Sequence, residues 1–160
     1  MFTRRILFVA TTLAALAGCA TPSTPSSVAD TIAAKPQLST LNSLVAKAGL
    51  TATLQGTGPF TIFAPSNEAF AKVPAKTMNE LASDPAKLKA VLTYHVLPGK
   101  VMAADVKNGN IKTVHGANLA LAKAGDYVTV EEALVQTADI SATNGVVHVI
   151  DSVLTPPAKR

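Results

Sequence analysis

The chain has one cysteine, Cys19, and no tryptophan among its 160 residues. A single cysteine cannot form an internal disulfide, so the chain is not a disulfide-stabilised secreted scaffold. Aromatic residues make up only 4% of the sequence. That is too few for the stacking platforms on which proteins bind single-stranded nucleic acids or sugars.

Charge is also sparse. Only 15% of the residues are charged, and two of the positive charges behind the net charge of +4 are Arg4 and Arg5 at the N-terminus. The remaining charges nearly balance and are scattered, whereas nucleic-acid binding requires a clustered basic face. We therefore expect no nucleic-acid partner.

Motifs for catalysis, metals and cofactors are missing from the sequence. There is no phosphate-binding glycine loop, no G-x-S-x-G and no H-E-x-x-H. The histidines His95, His115 and His148 lie far apart in the sequence. We expect no catalytic residue, no metal site and no cofactor. His95 and His148 are predicted to be buried or half-buried and held by hydrogen bonds, and His115 to lie at a strand end or turn.

The N-terminus has the order of a secretory signal: Arg4-Arg5, an apolar run at 6–17, then small residues. The run is too short to span a membrane. Leu16-Ala17-Gly18-Cys19 resembles the bacterial lipobox, in which the cysteine becomes the acylated first residue. The alternative is a chance cysteine after an ordinary signal peptide. Ala20, which follows it, is compatible with outer-membrane sorting in enterobacterial lipoproteins.

These features predict four segments. A lipoprotein signal peptide occupies 1–18, and the lipidated Cys19 with a Pro/Ser/Thr tether occupies 19–27. A single folded domain follows at 28–157, and a short basic tail at 158–160.

The two halves of the domain carry different patterns. In the first half, apolar residues recur with helical spacing after Ser39, a predicted cap, and after Asp84-Pro85, a typical helix start. In the second half, short apolar runs are separated by glycine-containing turn pairs. The predicted strands are 60–64, 93–96, 111–114, 119–122, 127–130 and 133–136, followed by a closing hairpin. Helices followed by antiparallel strands indicate an α+β domain.

The closing hairpin is predicted from Asn144-Gly145, because Asn-Gly is the strongest short signal for a two-residue turn with positive φ. This turn predicts the cross-strand pairs Thr143–Val146, Ser141–His148 and Asp139–Ile150. The other, wholly apolar face is predicted to be the core face, and it consists of Ile140, Ala142, Val147 and Val149. A Ser141–His148 pair would also invite a nucleophile-base interpretation, although a structural hydrogen bond is the commoner outcome.

Three blocks of the sequence together resemble the fasciclin-like domain family, as found in bacterial secreted lipoproteins. The first block, at 60–70, is a strand turning into a helix and contains Phe60, Phe63, Pro65 and Phe70. The second, at 94–100, begins with Tyr94-His95. The third is the closing hairpin, with Asn144, Gly145 and His148. The resemblance covers nearly all of 28–157 and implies a twisted β-sandwich or wedge of about seven strands with helices packed at one side.

The resemblance also implies a function in adhesion. Asp139-Ile140 resembles the aspartate-isoleucine element that family members use in integrin recognition, and Tyr94-His95 resembles a second recognition element. Ala138 stands where the adhesion motif usually has proline. The alternative is that Tyr94, His95 and Ile140 are core residues and that Asp139 makes local contacts.

We therefore expect an exported, lipid-anchored, non-catalytic module for adhesion or protein recognition, located in the bacterial cell envelope and anchored in the outer membrane. Its partner would be an unidentified protein or a cell-surface or matrix component. Two alternatives stay open. One is an envelope protein that binds a small molecule or lipid in an apolar cleft between helices and sheet, and the other is a hydrolase without a recognisable motif.

Overall fold

The computed structural model describes residues 26–157. The predicted signal peptide, Cys19, most of the tether and the tail at 158–160 lie outside the described residues.

Helices occupy most of the first half of this range. Their bounds are α1 Val28–Ala33, α2 Ser39–Lys47, α3 Thr51–Leu54, α4 Asn67–Ala71, α5 Ala75–Ser83 and α6 Pro85–Tyr94, with a 3₁₀ turn at Pro36–Leu38.

Short polar side chains cap three of the helices. The oxygens of Ser27, Ser66 and Asp84 accept hydrogen bonds from backbone N–H groups in the first turns of α1, α4 and α6, which satisfies donors that have no partner within the helix. The cap predicted at Ser39 is wrong. Ser39 is already the first residue of α2, because the 3₁₀ turn runs directly into that helix.

Seven strands form one sheet in the order β2-β1-β7-β6-β5-β4-β3. Their bounds are β1 Phe60–Pro65, β2 Val96–Pro98, β3 Gly109–Lys112, β4 Asn118–Ala124, β5 Tyr127–Val130, β6 Ala133–Ala142 and β7 Gly145–Ile150. All neighbours are antiparallel except β1 and β7, which are parallel. The sheet curls into a nearly closed barrel, and the Val114 N–H donates to the Val96 carbonyl at 2.8 Å across the gap between β3 and β2.

Strand β7 is buried along its whole length, because each of its faces packs against a separate core. On one face, Val147 and Val149 join Ile62 of β1 under the helices. On the other face, Ile150 joins Phe63 inside the curled sheet, against apolar residues of β4 and β5. The predicted core face is confirmed, and Ile140 and Ala142 pack against it.

The predicted register of the closing hairpin is wrong. Ala142 pairs with Gly145 and Ser141 with Val146, so the turn consists of Thr143 and Asn144. Gly145 does not have positive φ. It is required instead because a Cβ there would lie 2.1 Å from the Phe60 carbonyl oxygen of the parallel strand. The glycine serves a close approach between strands rather than a turn.

Strand β6 contains two irregularities that the sequence pattern did not predict. The pairing shifts between Val135 and Thr137 and again between Thr137 and Ile140. Because the four residues 137–140 lie opposite only the three residues 147–149 of β7, β6 contains a bulge, and Asp139 lies in it with φ of 57°.

The predicted strand at 93–96 is also wrong in part, because α6 continues to Tyr94 before β2 begins.

Phe63 offers a direct test of this core. Its side chain is 1% exposed, so replacing Phe63 with alanine should lower the free energy of unfolding by about 3–5 kcal/mol. Urea denaturation measures the change. Tyr127→Ala is the matched control, because Tyr127 is 68% exposed and should change stability by less than about 0.5 kcal/mol. Equal losses in the two variants would contradict the described packing.

Candidate functional site

Tyr94 and His95 lie at the end of α6, inside the protein. Their exposed fractions are 1% and 2%. The Tyr94 ring packs in the core within the curled sheet, whereas the His95 ring lines a small cavity of about 20 Å³ under the helices. The two side chains predicted to contact a partner are therefore not at the surface of the described structure, and their role in binding stays a prediction.

The hydrogen bonds of His95 define its tautomer. The Leu154 N–H donates to Nε2 at 3.0 Å, so Nε2 carries no proton, and Nδ1–H donates to the Val91 carbonyl at 2.8 Å. The ring is neutral and both nitrogens are satisfied. Burial lowers the pKa of His95 to about 4, because a charged imidazolium is poorly solvated in the core. The hydrogen bond to the Val91 carbonyl acts in the opposite direction and raises the pKa, but its effect is smaller.

Tyr94 is held by its hydroxyl group. The hydroxyl lies 2.5 Å from Oε1 of Glu131 and 3.0 Å from the Asn118 carbonyl oxygen. Burial, together with the bond to Glu131, raises the pKa of Tyr94. Glu131 has φ of 55° and was not identified from the sequence, because no local pattern indicates a partner 37 residues away.

Asp139 and His148 form a second polar group, on the β6–β7 pair. The Asp139 N–H donates to Nδ1 of His148 at 3.2 Å, so Nε2–H of the ring donates to the Val101 carbonyl at 2.9 Å. The ring also stacks on Phe63, with centroids 5.5 Å apart. Oδ1 of Asp139 accepts a hydrogen bond from the Ala103 N–H at 2.8 Å.

These contacts fix the segment that follows β2, which we call the anchored segment, residues 99–103. Thr61 adds two bonds to it: its hydroxyl donates to the Gly99 carbonyl at 2.7 Å and accepts from the Val101 N–H at 2.8 Å. Thr61 is fully buried and was missed by sequence reasoning, since a lone threonine in a strand carries no functional signal.

The Asp139-Ile140 element is accessible in part. Asp139 is exposed, and Ile140 is half-buried with contacts to the helix-side core. Among residues 26–157, no hydrogen bond or ring contact joins this element to Tyr94 or His95. The two predicted recognition elements are thus separate, one at the surface and one inside.

The suggested Ser141–His148 pair does not form. Ser141 pairs with Val146, and both nitrogens of His148 are occupied by backbone groups. The imidazole therefore has no free nitrogen with which to activate a serine hydroxyl.

Asn144 connects the closing turn to the helices. Its Oδ1 accepts a hydrogen bond from the Val28 N–H at 2.8 Å, and its Nδ2 donates to the carbonyls of Leu54 and Gly56 at 2.7 and 2.8 Å. The Asn-Gly pair that identified the hairpin thus has a structural role at the start of α1.

An open cleft of about 570 Å³ lies beside α6. It is bounded by residues of α5, α6, the turn after β3 and the end of the described chain: Leu81, Ala86, Lys87, Ala90, Val91, His115, Thr155, Pro156 and Pro157.

Across residues 26–157, no group of three His, Cys, Asp or Glu side chains is arranged to hold a metal ion. No helix within this range is long and apolar enough to cross a membrane.

Comparison with known proteins agrees with this architecture. The fasciclin domain model matches residues 36–156. The chain belongs to the fasciclin domain family. It is 42% identical to protein sll1483 of Synechocystis sp. over 132 residues, which cover 81% of this chain and 73% of that protein.

Two further similarities extend the comparison. The cell surface glycolipoprotein MPB83 of Mycobacterium bovis is 37% identical over 137 residues, covering 82% of this chain and 61% of MPB83. A solved FAS1 domain pair from the insect cell adhesion molecule fasciclin I has the same fold, with a TM-score of 0.64 and 19% identity, covering 81% of this chain and 50% of that one. The predicted α+β fasciclin fold is confirmed.

His95 gives the domain a testable pH dependence. Its folded pKa of about 4 lies below the ordinary value of 6.5, so the unfolded chain binds a proton more readily. The contribution of neutral His95 to the free energy of unfolding is fully present above pH 6.5. It is lost as the pH falls towards 4, which lowers the free energy of unfolding by about 3 kcal/mol. Urea denaturation at each pH measures this change. Between pH 6.5 and 4, the free energy of unfolding should fall less for His95→Gln than for the unchanged protein. Equal losses would contradict the neutral, buried state of His95.

Proposed function

We propose that this fasciclin domain is an exported, lipid-anchored and non-catalytic module that recognises a protein or surface partner in the bacterial cell envelope. Two observations support export and anchoring. The N-terminus has the order of a lipoprotein signal that ends at Cys19. The relative MPB83, which matches over 137 residues, is a cell surface glycolipoprotein. Anchoring in the outer membrane is part of the proposal.

The recognition surface in this proposal is Asp139 with Ile140 and the neighbouring anchored segment. The main support for this surface is that Asp139 is exposed and yet held in a fixed position. Its side chain is exposed, its backbone is fixed in the bulge by His148, and Oδ1 is oriented by the Ala103 N–H. Oδ2 has no hydrogen-bond partner among residues 26–157. A rigidly held carboxylate beside a half-buried isoleucine binds with little loss of conformational entropy.

The interior residues support this surface rather than contact the partner. In the proposal, Tyr94 and His95 shape the core, and His148 and Thr61 position the anchored segment. Their polar groups are occupied by hydrogen bonds within the domain, and we therefore assign no catalysis to His95 or His148.

Attachment of cells that display the full chain tests the proposed surface. Asp139→Asn removes the charge but retains an oxygen that accepts the Ala103 bond, and asparagine tolerates positive φ. We expect this variant to fold normally and to lose at least half of the attachment that the unchanged protein confers. Asp126→Asn is the control, because it removes the same charge from an exposed turn. If Asp139→Asn attaches cells as well as Asp126→Asn does, the carboxylate is not the recognition group.

The anchor is tested separately by membrane fractionation. Cys19→Ser should move the protein from the membrane fraction to the released fraction, since the acyl chains that hold it can no longer be attached. Retention of the serine variant in the membrane fraction would refute the lipid anchor and leave the recognition surface untouched.

A further inference from the structure

The cleft beside α6 has the size and composition of a small-molecule site. Its volume of about 570 Å³ lies within the range of about 300–1,000 Å³ that is typical of ligand sites. Of the nine residues within 26–157 that line it, six are apolar: Leu81, Ala86, Ala90, Val91, Pro156 and Pro157. An apolar chain or ring would remove these surfaces from water.

His115 forms part of the wall of the cleft. Its Nδ1 is buried and makes no hydrogen bond within residues 26–157. Two contacts hold the residue in place. Its backbone N–H donates to the Thr93 carbonyl at 3.3 Å, and its ring packs edge-on against the Tyr94 ring, with the ring centroids 6.2 Å apart. Because Nδ1 has almost no accessible surface, the ring forms a fixed wall of the cleft and does not present this nitrogen to a ligand there.

Within residues 26–157, Lys87 is the only charged residue that lines the cleft. Its Nζ lies 3.9 Å from Oδ2 of Asp84, and the two side chains are 62% and 42% exposed. Such an exposed pair contributes little and exchanges readily with another carboxylate. The electrostatics of the lining therefore favour an anionic group over a cationic one.

We propose that the cleft binds an amphipathic carboxylate, with a single aliphatic chain against the apolar walls and the carboxylate directed to Lys87. This binding activity goes beyond the recognition function proposed above, because it uses none of the residues of the Asp139 surface.

The test is an NMR titration of the isotopically labelled full chain with dodecanoate below its micelle concentration. The chain carries Cys19→Ser, so that no attached acyl chain competes for the cleft. Saturable shifts are expected at Ala86, Val91 and the His115 ring. Ala86→Trp, a change at an exposed position of α6, should weaken binding at least tenfold by filling the cleft.

Two comparisons test the ligand class. Lys87→Glu should weaken dodecanoate binding about fivefold, whereas Lys89→Glu, the same charge change on the same helix outside the cleft, should leave it within twofold. The uncharged C12 alcohol should bind at least fivefold more weakly than dodecanoate. The proposal is overturned if no saturable shift occurs at the cleft, if the two lysine variants behave alike, or if the alcohol binds as tightly. None of these outcomes bears on attachment through Asp139.

Discussion

The placement of β7 between the parallel strand β1 and the bulged strand β6 is the constraint on which the rest of the structure depends. Every residue of β7 is buried, so both of its faces need a covering layer. The helices cover one face, and the curled part of the sheet covers the other. The close approach of Gly145 to Phe60 sets the start of the parallel pair, which in turn fixes the position of each residue along β1 relative to β7.

This placement determines what the polar side chains of the hairpin do. His148 points into the core within the curled sheet, where its two nitrogens meet backbone groups from the bulge and from the anchored segment. Asp139 lies on the outer side of the same bulge and holds the anchored segment at a second point. The interior polar residues thus serve the fold, and the fold presents a fixed carboxylate at the surface.

The sequence predicted local structure well where a short-range interaction determines it. The start of α6 at Asp84-Pro85 follows from capping, the limits of β5 at 127–130 follow from alternation and turn residues, and the core face of the hairpin follows from its apolar pattern. The local failures, the Ser39 cap and the strand at 93–96, are shifts of a helix end by a few residues, whereas the larger failures are long-range. The register of β6 on β7 depends on Gly145 packing against β1, and the bond from Tyr94 to Glu131 joins residues distant in the sequence. Neither leaves a local signal.

Amide hydrogen exchange in the unchanged protein and in His148→Phe tests most directly the claim that β7 holds the surface in place from inside. The substitution retains an aromatic ring against Phe63 but removes both hydrogen bonds of the imidazole. We predict that the amides of Asp139 and Ala103 exchange at least tenfold faster in His148→Phe, while those of Val147 and Val149 keep their protection. Unchanged exchange at Asp139 and Ala103 would contradict it.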